Sequence, residues 1–258
     1  MAIANPAIAF EGKTVLVIGG TAGIGEATAL CFAAAGANVV IAGLGAPQGR
    51  AVAAACSAYG LGEALFIETD VRQESQVQAA VQRAAQRYRR IHAAVNNAGI
   101  EGRFGPVQDA TAEDFDQVIG VNLRGVWLGM KYEISHMLAQ GGGAIVNTSS
   151  SAGLTGIANV ALYTASKHGV VGLTKAAALE LAQSGIRVNA VAPGPVDTGL
   201  LHRMIAGKID VGVIAAGVPM GRISAPSETA QAILWLCSDA ASFVTGHTLA
   251  VDGGMTVR

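Results

Sequence analysis

The sequence predicts an α/β fold, a doubly wound parallel seven-stranded sheet flanked by helices, with a small helical lid. Three observations predict it. Short apolar runs alternate along the chain with longer segments whose apolar residues recur at helical spacing. The chain opens strand–helix–strand within about 30 residues, the pattern of two parallel strands joined by a crossover helix. Apolar residues make up 51% of the 258 residues and charged residues only 14%, enough to bury both faces of a sheet.

The elements follow in order. "KTVLVIGG" is a short apolar run ending in glycines, a strand and its turn. "GIGEATALCFAAAGA" is apolar at helical spacing and is closed by glycine, and "NVVIAG" is the second strand. A neutral turn leads into the helix that carries Arg50. Further strands fall at "ALFIETD", "IHAAVNNAG", "GAIVNTSS", "IRVNAVAPG" and "HTLAVDGG", with helices over 73–89, 111–138, 160–183 and 226–238. Thr111 and Asp114 predict a capping box at the start of the second of these helices. The stretch 197–222 breaks the rhythm. It is rich in glycine and apolar residues and follows the C-terminal end of a strand, where such sheets bind ligands, so it predicts one or two short helices as a lid. The whole chain, 1–258, reads as a single dinucleotide-binding and catalytic domain.

Composition narrows the function classes. The net charge of −1 leaves no electrostatic footprint for nucleic acid or an anionic membrane. Cys31, Cys56 and Cys237 stand singly, in no metal or disulfide spacing, and His92, His136, His168, His202 and His247 show no metal pattern, so no metal is expected. His202 falls in the lid, and Asp252 reads as a structural anchor. The first ten residues lack a basic start and a long apolar run, and glycines, Asn38 and Pro47 punctuate the uncharged stretch 27–49. A soluble cytoplasmic protein is expected.

Two features carry chemistry. "VIGGTAGIG" places Gly19, Gly23 and Gly25 between the first strand and the first helix. Glycines let backbone turn tightly against a pyrophosphate, and the helix N-terminus offers free N–H groups. "ALYTASKHG" places Tyr163 and Lys167 four residues apart, on one face of a helix. A free phenol has a pKa near 10, and an adjacent ammonium favours the phenolate, bringing it nearer the pH at which a general acid or base works. Taken alone, such a pair is also an ordinary surface pair.

The spacing G-x-x-x-G-x-G resembles that of the short-chain dehydrogenase/reductase family, and the rest of the chain resembles that family end to end. "NNAG" at 96–99, "TDV" around Asp70, "VNL" at 121–123, "IVNTSSSAG", "YTASK", "NAVAPGPVDT" at 189–198 and "VDGG" at 251–254 stand in family order. Ser150 lies thirteen residues before Tyr163, as in the family. The chain is most similar to bacterial members labelled glucose dehydrogenase-like or ketoreductase. The resemblance implies a Rossmann-like sheet and hydride transfer between a nicotinamide cofactor and a ketone or aldehyde and its alcohol. It implies Tyr163 as general acid/base, Ser150 orienting the reacting oxygen, Lys167 holding the nicotinamide ribose, and Asn122 anchoring a water toward Lys167. Cofactor contacts are implied for Gly19, Thr21, Gly23, Ile24, Gly25, Gly43, Leu44, Asp70, Val71, Asn97, Ala98, Gly99, Tyr163, Lys167, Pro193, Gly194, Val196 and Thr198, with Asp70 meeting the adenine amino group. It further implies a homotetramer packed through the helices at 111–138 and 160–183.

The chain departs from the family pattern at two places. Ile18 replaces the usual Thr before the first glycine. After the second strand, Gly43, Leu44 and Gly45 stand where an acid would favour NAD or arginines would favour NADP. Either cofactor is therefore expected, with a slight lean to NADP through a hydrogen bond from Thr21. The substrate wall is expected from Ala152, Gly153, Leu154, Ile157, Pro195, Leu200, Leu201 and Met204, a mostly apolar set, with Glu101 and Arg103 near the mouth. The presence of both Tyr163 and Lys167 opposes a catalytically idle dinucleotide sensor. The three residues between them, rather than the six typical of enoyl reductases, oppose reduction of carbon–carbon double bonds.

Overall fold

The computed structural model describes residues 8–257; the expected lack of a secretory leader falls largely outside them. Strand β1 (Thr14–Ile18) is buried along its whole length. Its side chains alternate between faces: Leu16 and Ile18 enter one core cluster, Val15 and Val17 the other. The same logic builds β2 (Asn38–Gly43), β3 (Ala64–Glu68), β4 (Ala93–Asn96), β5 (Gly143–Thr148), β6 (Ile186–Pro193) and β7 (Thr248–Val251). All pair in parallel in the order β3-β2-β1-β4-β5-β6-β7. The order reverses between β1 and β4, opening a crevice at the C-terminal ends of those two strands.

Helices α1 (Gly23–Ala34), α2 (Ala46–Ser57) and α9 (Pro226–Cys237) cover one face. Helices α3 (Glu74–Tyr88), α5 (Gly125–Gln140) and α6 (Ala161–Leu181) cover the other. The expected single helix over 111–138 is divided. It consists of α4 (Ala112–Ile119), one wider π turn (Gly120–Arg124) and α5. The capping box forms as the sequence predicts, with Thr111 Oγ1 accepting from the Asp114 N–H at 3.1 Å and Asp114 Oδ2 from the Thr111 N–H at 3.0 Å. The break centres on Asn122, fully buried, whose amide bonds the backbone of Ile100 outside the helix. Asn is a poor helix-interior residue because its amide competes for backbone groups, and here it does so. The stretch after β6 forms two short helices, α7 (Gly199–Ile205) and α8 (Val211–Gly217). Among the described residues no helix is long and apolar enough to cross a membrane.

Candidate active site

A cavity of about 960 Å³ opens at the strand reversal and runs from Gly19, Thr21, Gly43 and Asp70 to α7 and α8. Close packing of backbone shapes its nucleotide end. Gly19 has φ +82°, and a Cβ there would lie 2.3 Å from the Ala98 nitrogen. A Cβ at Gly25 would lie 2.0 Å from the Gly19 carbonyl oxygen and 2.7 Å from Asn97 Nδ2, which donates to that carbonyl. Gly23 has φ +58° and faces Thr198. Only bare backbone fits this turn, which leaves the N-terminus of α1 open toward the cavity. That cradle fits a dinucleotide pyrophosphate.

Most of the expected cofactor residues line the cavity: Gly19, Thr21, Gly23, Ile24, Gly43, Leu44, Asp70, Val71, Asn97, Ala98, Gly99, Tyr163, Lys167, Pro193, Gly194, Val196 and Thr198. Gly25 is not in the wall; it supports the turn from behind. Both oxygens of Asp70 accept from Arg72, whose guanidinium holds the carboxyl below its usual range. Thr198 Oγ1 caps α7 through the Leu201 N–H.

At the middle of the cavity stand Ser150, Tyr163 and Lys167. Ser150 directly follows β5, and Tyr163 and Lys167 share a face of α6. The three adjacent serines separate by their partners. Ser149 Oγ donates to the Lys167 carbonyl at 2.9 Å, whereas the Ser150 hydroxyl accepts from the Ala152 N–H and also bonds the Tyr163 phenol. Lys167 is buried and donates from Nζ to the Thr148 carbonyl at 2.8 Å; burial pushes its pKa down to about 8. The acidity of Tyr163 differs from the sequence argument. Burial raises its pKa, the Ser150 hydrogen bond lowers it, and the charge of Glu101 raises it. The net direction is upward. Lys167 Nζ lies 5.6 Å from the ring centroid and is directed to Thr148, so its attraction for a phenolate does not overcome burial.

Asn122 lies behind the cavity wall. Its amide accepts from the Ile100 N–H at 2.8 Å and donates to the Ile100 carbonyl at 2.9 Å and to Ser166 Oγ at 3.2 Å. A side chain at Gly99 would approach both Asn122 Oδ1 (3.4 Å) and Lys167 Nζ (3.5 Å), so the two groups flank the same residue. Asp252 is an anchor, accepting from the N–H groups of Gly254 and Thr256 and from the Thr256 hydroxyl. Among the described residues no cluster of three or more His, Cys, Asp or Glu side chains is placed to hold a metal.

The substrate end is apolar. Ala152, Ile157, Pro195, Leu200, Leu201 and Met204 line it as expected. Two expected wall residues do not. Gly153 is packed between the Ser149 hydroxyl and the Lys167 carbonyl, where a Cβ would lie 2.2 Å from the former, and Leu154 turns outward at 38% exposure. The 3₁₀ turn Ser151–Gly153 causes both shifts by curling the chain away from the cavity. Phe104, Gln117, Ile209, Val213, Ile214 and Met255 also line the wall and were not singled out in the sequence. The apolar residues of 197–222 were the available signal for three of them. His202 bonds Asp197 at 2.7 Å at the base of α7.

A family model described as "Enoyl-(Acyl carrier protein) reductase" matches residues 19–256. The chain is 42% identical over 249 residues to cyclohexanol dehydrogenase of Acinetobacter sp. (strain SE19), covering 96% of this chain and 97% of that protein. It is 45% identical over 249 residues to cis-4-hydroxycyclohexanecarboxylate dehydrogenase of Sinomonas cyclohexanicum, covering 96% and 98%. The crystal structure of levodione reductase superimposes with a TM-score of 0.93 at 38% identity, over 96% of this chain and 99% of that one. With these relatives, a parallel sheet that reverses at a glycine cradle, and a Ser–Tyr–Lys set on its floor, the chain belongs to the short-chain dehydrogenase/reductase family, NAD(P)-dependent oxidoreductases that interconvert alcohols and carbonyl compounds.

Proposed function

We propose that the protein interconverts an alicyclic secondary alcohol and its cyclic ketone, with Tyr163 as general acid/base. The observation that carries this is the position of Ser150, Tyr163 and Lys167 between a glycine cradle and an apolar pocket. A bound nicotinamide dinucleotide supplies the hydride acceptor or donor. In oxidation the Tyr163 oxygen takes the alcohol proton as the hydride leaves the same carbon, and the carbonyl forms; in reduction the phenol returns the proton. The Ser150 hydroxyl orients the reacting oxygen. Lys167 holds the ribose, and Asn122 keeps the π turn open beside Gly99 for a water reaching Lys167. Gly153 and Leu154 have no part in the pocket. The six-membered rings in the names of two relatives, cyclohexanol and cis-4-hydroxycyclohexanecarboxylate, support the alicyclic class.

The ribose end carries neither an acid nor an arginine at 43–45, and Thr21 Oγ1 would lie 3.4 Å from a Cβ at Gly43. This supports use of both cofactors with a slight lean to NADP. The free thiols of Cys31, Cys56 and Cys237 suit the reducing cytoplasm. Exposed Phe115, Trp127 and Leu179 on α4, α5 and α6 support self-association as a homotetramer. A steady-state assay with cyclohexanol and cyclohexanone, each with both cofactors, tests the reading alongside fluorescence titration of NADH and NADPH. The expected result is turnover that Tyr163→Phe lowers by about 10²–10⁴-fold while dinucleotide binding persists. Failure to bind either dinucleotide, or undiminished turnover in Tyr163→Phe, overturns it.

A further inference from the structure

The cavity wall carries few charges. Asp70 and Arg72 lie at the nucleotide end and Lys167 at the centre; at the substrate end, among the described residues, the charged wall residue is Arg203 of α7. Its guanidinium meets Glu101, in the loop after β4 and 102 residues away in sequence, through Nε–Oε1 at 2.8 Å and Nη2–Oε2 at 3.3 Å. Glu101 is the more enclosed partner, with 18% of its side chain exposed against 62% for Arg203. A pair this open contributes little to stability, about 0–1 kcal/mol. Its position matters more than its energy. Arg203 lies on the helix whose Leu200, Leu201 and Met204 form the pocket wall, and Glu101 acts electrostatically on the Tyr163 phenol.

We propose that the Glu101–Arg203 pair couples the seating of α7 to the readiness of Tyr163 to accept a proton, with Arg203 as a positioning residue. The inference rests on the reading of Tyr163 as general acid/base. The groups around the phenol are Lys167 on its own helix, Ser150 after β5 and Glu101 after β4, with Arg203 reaching it through Glu101. With α7 seated, the Glu101 carboxylate is paired and its repulsion of a phenolate is largely offset. With α7 displaced, the carboxylate stands bare beside the phenol and holds the proton on it. The base is then at its strongest only when the pocket wall is in place.

The test is a tyrosinate absorbance titration of the full chain, each protein read against its own Tyr163→Phe counterpart to isolate that one phenol. Arg203→Ala leaves Glu101 unpaired, and the midpoint is expected to rise. Glu101→Gln leaves Arg203 unpaired, and the midpoint is expected to fall. The double variant removes both charges and is expected to return to the wild-type midpoint, and Arg203→Lys to stay near it. In parallel, kcat/KM for alcohol oxidation near neutral pH is expected to fall about threefold or more in Arg203→Ala and to recover in the double variant. Coincident midpoints for wild type and Arg203→Ala overturn the proposal. So does a double variant displaced as far as Arg203→Ala, because lost packing of α7 would do that and lost charge would not. Should Arg203→Ala fail to fold, the near-isosteric Glu101→Gln decides: an unmoved midpoint overturns the proposal. The titration requires no turnover, so a wild-type protein inactive on every alcohol would defeat the functional reading while the coupling was still judged on its own.

Discussion

Glu133→Gln should stabilise the protein, and increasingly so as pH rises. Glu133 lies on α5, fully buried. Its Oε2 accepts from Asn96 Nδ2 at 2.9 Å, while Oε1 has no hydrogen-bond partner, and neither has Asn96 Oδ1. Asn96 Nδ2 also reaches Asn147 Oδ1, and Asn147 Nδ2 reaches Thr174 Oγ1 and Met130 Sδ, so the surrounding network is neutral. Burial pushes the carboxyl pKa from 4.5 up to about 7, against a smaller lowering by the Asn96 hydrogen bond. An acid whose folded pKa is raised binds more protons folded than unfolded between those two values. Stability is therefore fully present below the unfolded pKa and is lost as pH rises through the folded one. The difference between 4.5 and about 7 corresponds to about 3 kcal/mol, complete above about pH 7. Glutamine keeps a carbonyl acceptor for Asn96 and, like the protonated acid, a donor, but cannot ionise. The measurement is thermal unfolding of wild type and Glu133→Gln from pH 4.5 to pH 8. Near pH 4.5 the midpoints should nearly coincide. Near pH 8 the variant should melt higher by about 5–10 °C, since about 1 kcal/mol moves the midpoint by about 2–4 °C in a chain of this size. Other carboxyls titrate alike in both proteins and cancel in the difference. A gap that does not widen with pH, or a wild type more stable at pH 8, would refute the claim that Glu133 is buried without a compensating charge.

Two further substitutions probe the nucleotide end. Gly25→Ala drives a methyl group to 2.0 Å from the Gly19 carbonyl oxygen, and the backbone of the turn must move. Fluorescence titration should show dinucleotide affinity reduced about tenfold or more, with a lower melting temperature; wild-type affinity would mean the turn yields more easily than its packing implies. Gly43→Asp introduces an acid whose Cβ would sit 3.1 Å from Thr21 Cγ2, close enough to require a small shift of Thr21. NADPH binding should weaken about tenfold relative to NADH, since a carboxylate repels a 2′-phosphate and accepts from a 2′-hydroxyl; an unchanged ratio would place the discriminating group elsewhere.

The sheet was legible because each strand is decided locally. A run such as Val15–Leu16–Val17–Ile18 is apolar on both faces, and a parallel sheet covered on both sides is where such a run is buried. The glycine cradle was legible for the same reason: Gly19 and Gly25 occupy positions where any side chain would collide with backbone. The division of the long helix was half legible. Asn122 stood out as a poor helix residue, but its partner Ile100 lies 22 residues earlier, and only the folded chain brings them together. Gly153 and Leu154 misled because proximity in sequence to Ser150 says nothing about a 3₁₀ turn that reverses direction immediately after it.

The acidity of Tyr163 marks the deeper boundary. Spacing along a helix predicts that Lys167 lies beside it, which it does, and a neighbouring ammonium favours the phenolate. Yet a pKa sums every group around the phenol, and most of them come from elsewhere in the chain: the wall that buries it, Ser150 after β5, and Glu101 after β4 with Arg203 of α7 upon it. Lys167 itself is bonded to the Thr148 carbonyl, and its own charge is weakened by the same burial that raises the phenol. Desolvation therefore opposes both members of the pair. The ammonium and the phenolate become favourable together when further groups bring polarity into the cavity. A reacting oxygen, a ribose and a seated α7 would each do so, and the base would be strongest with the site assembled.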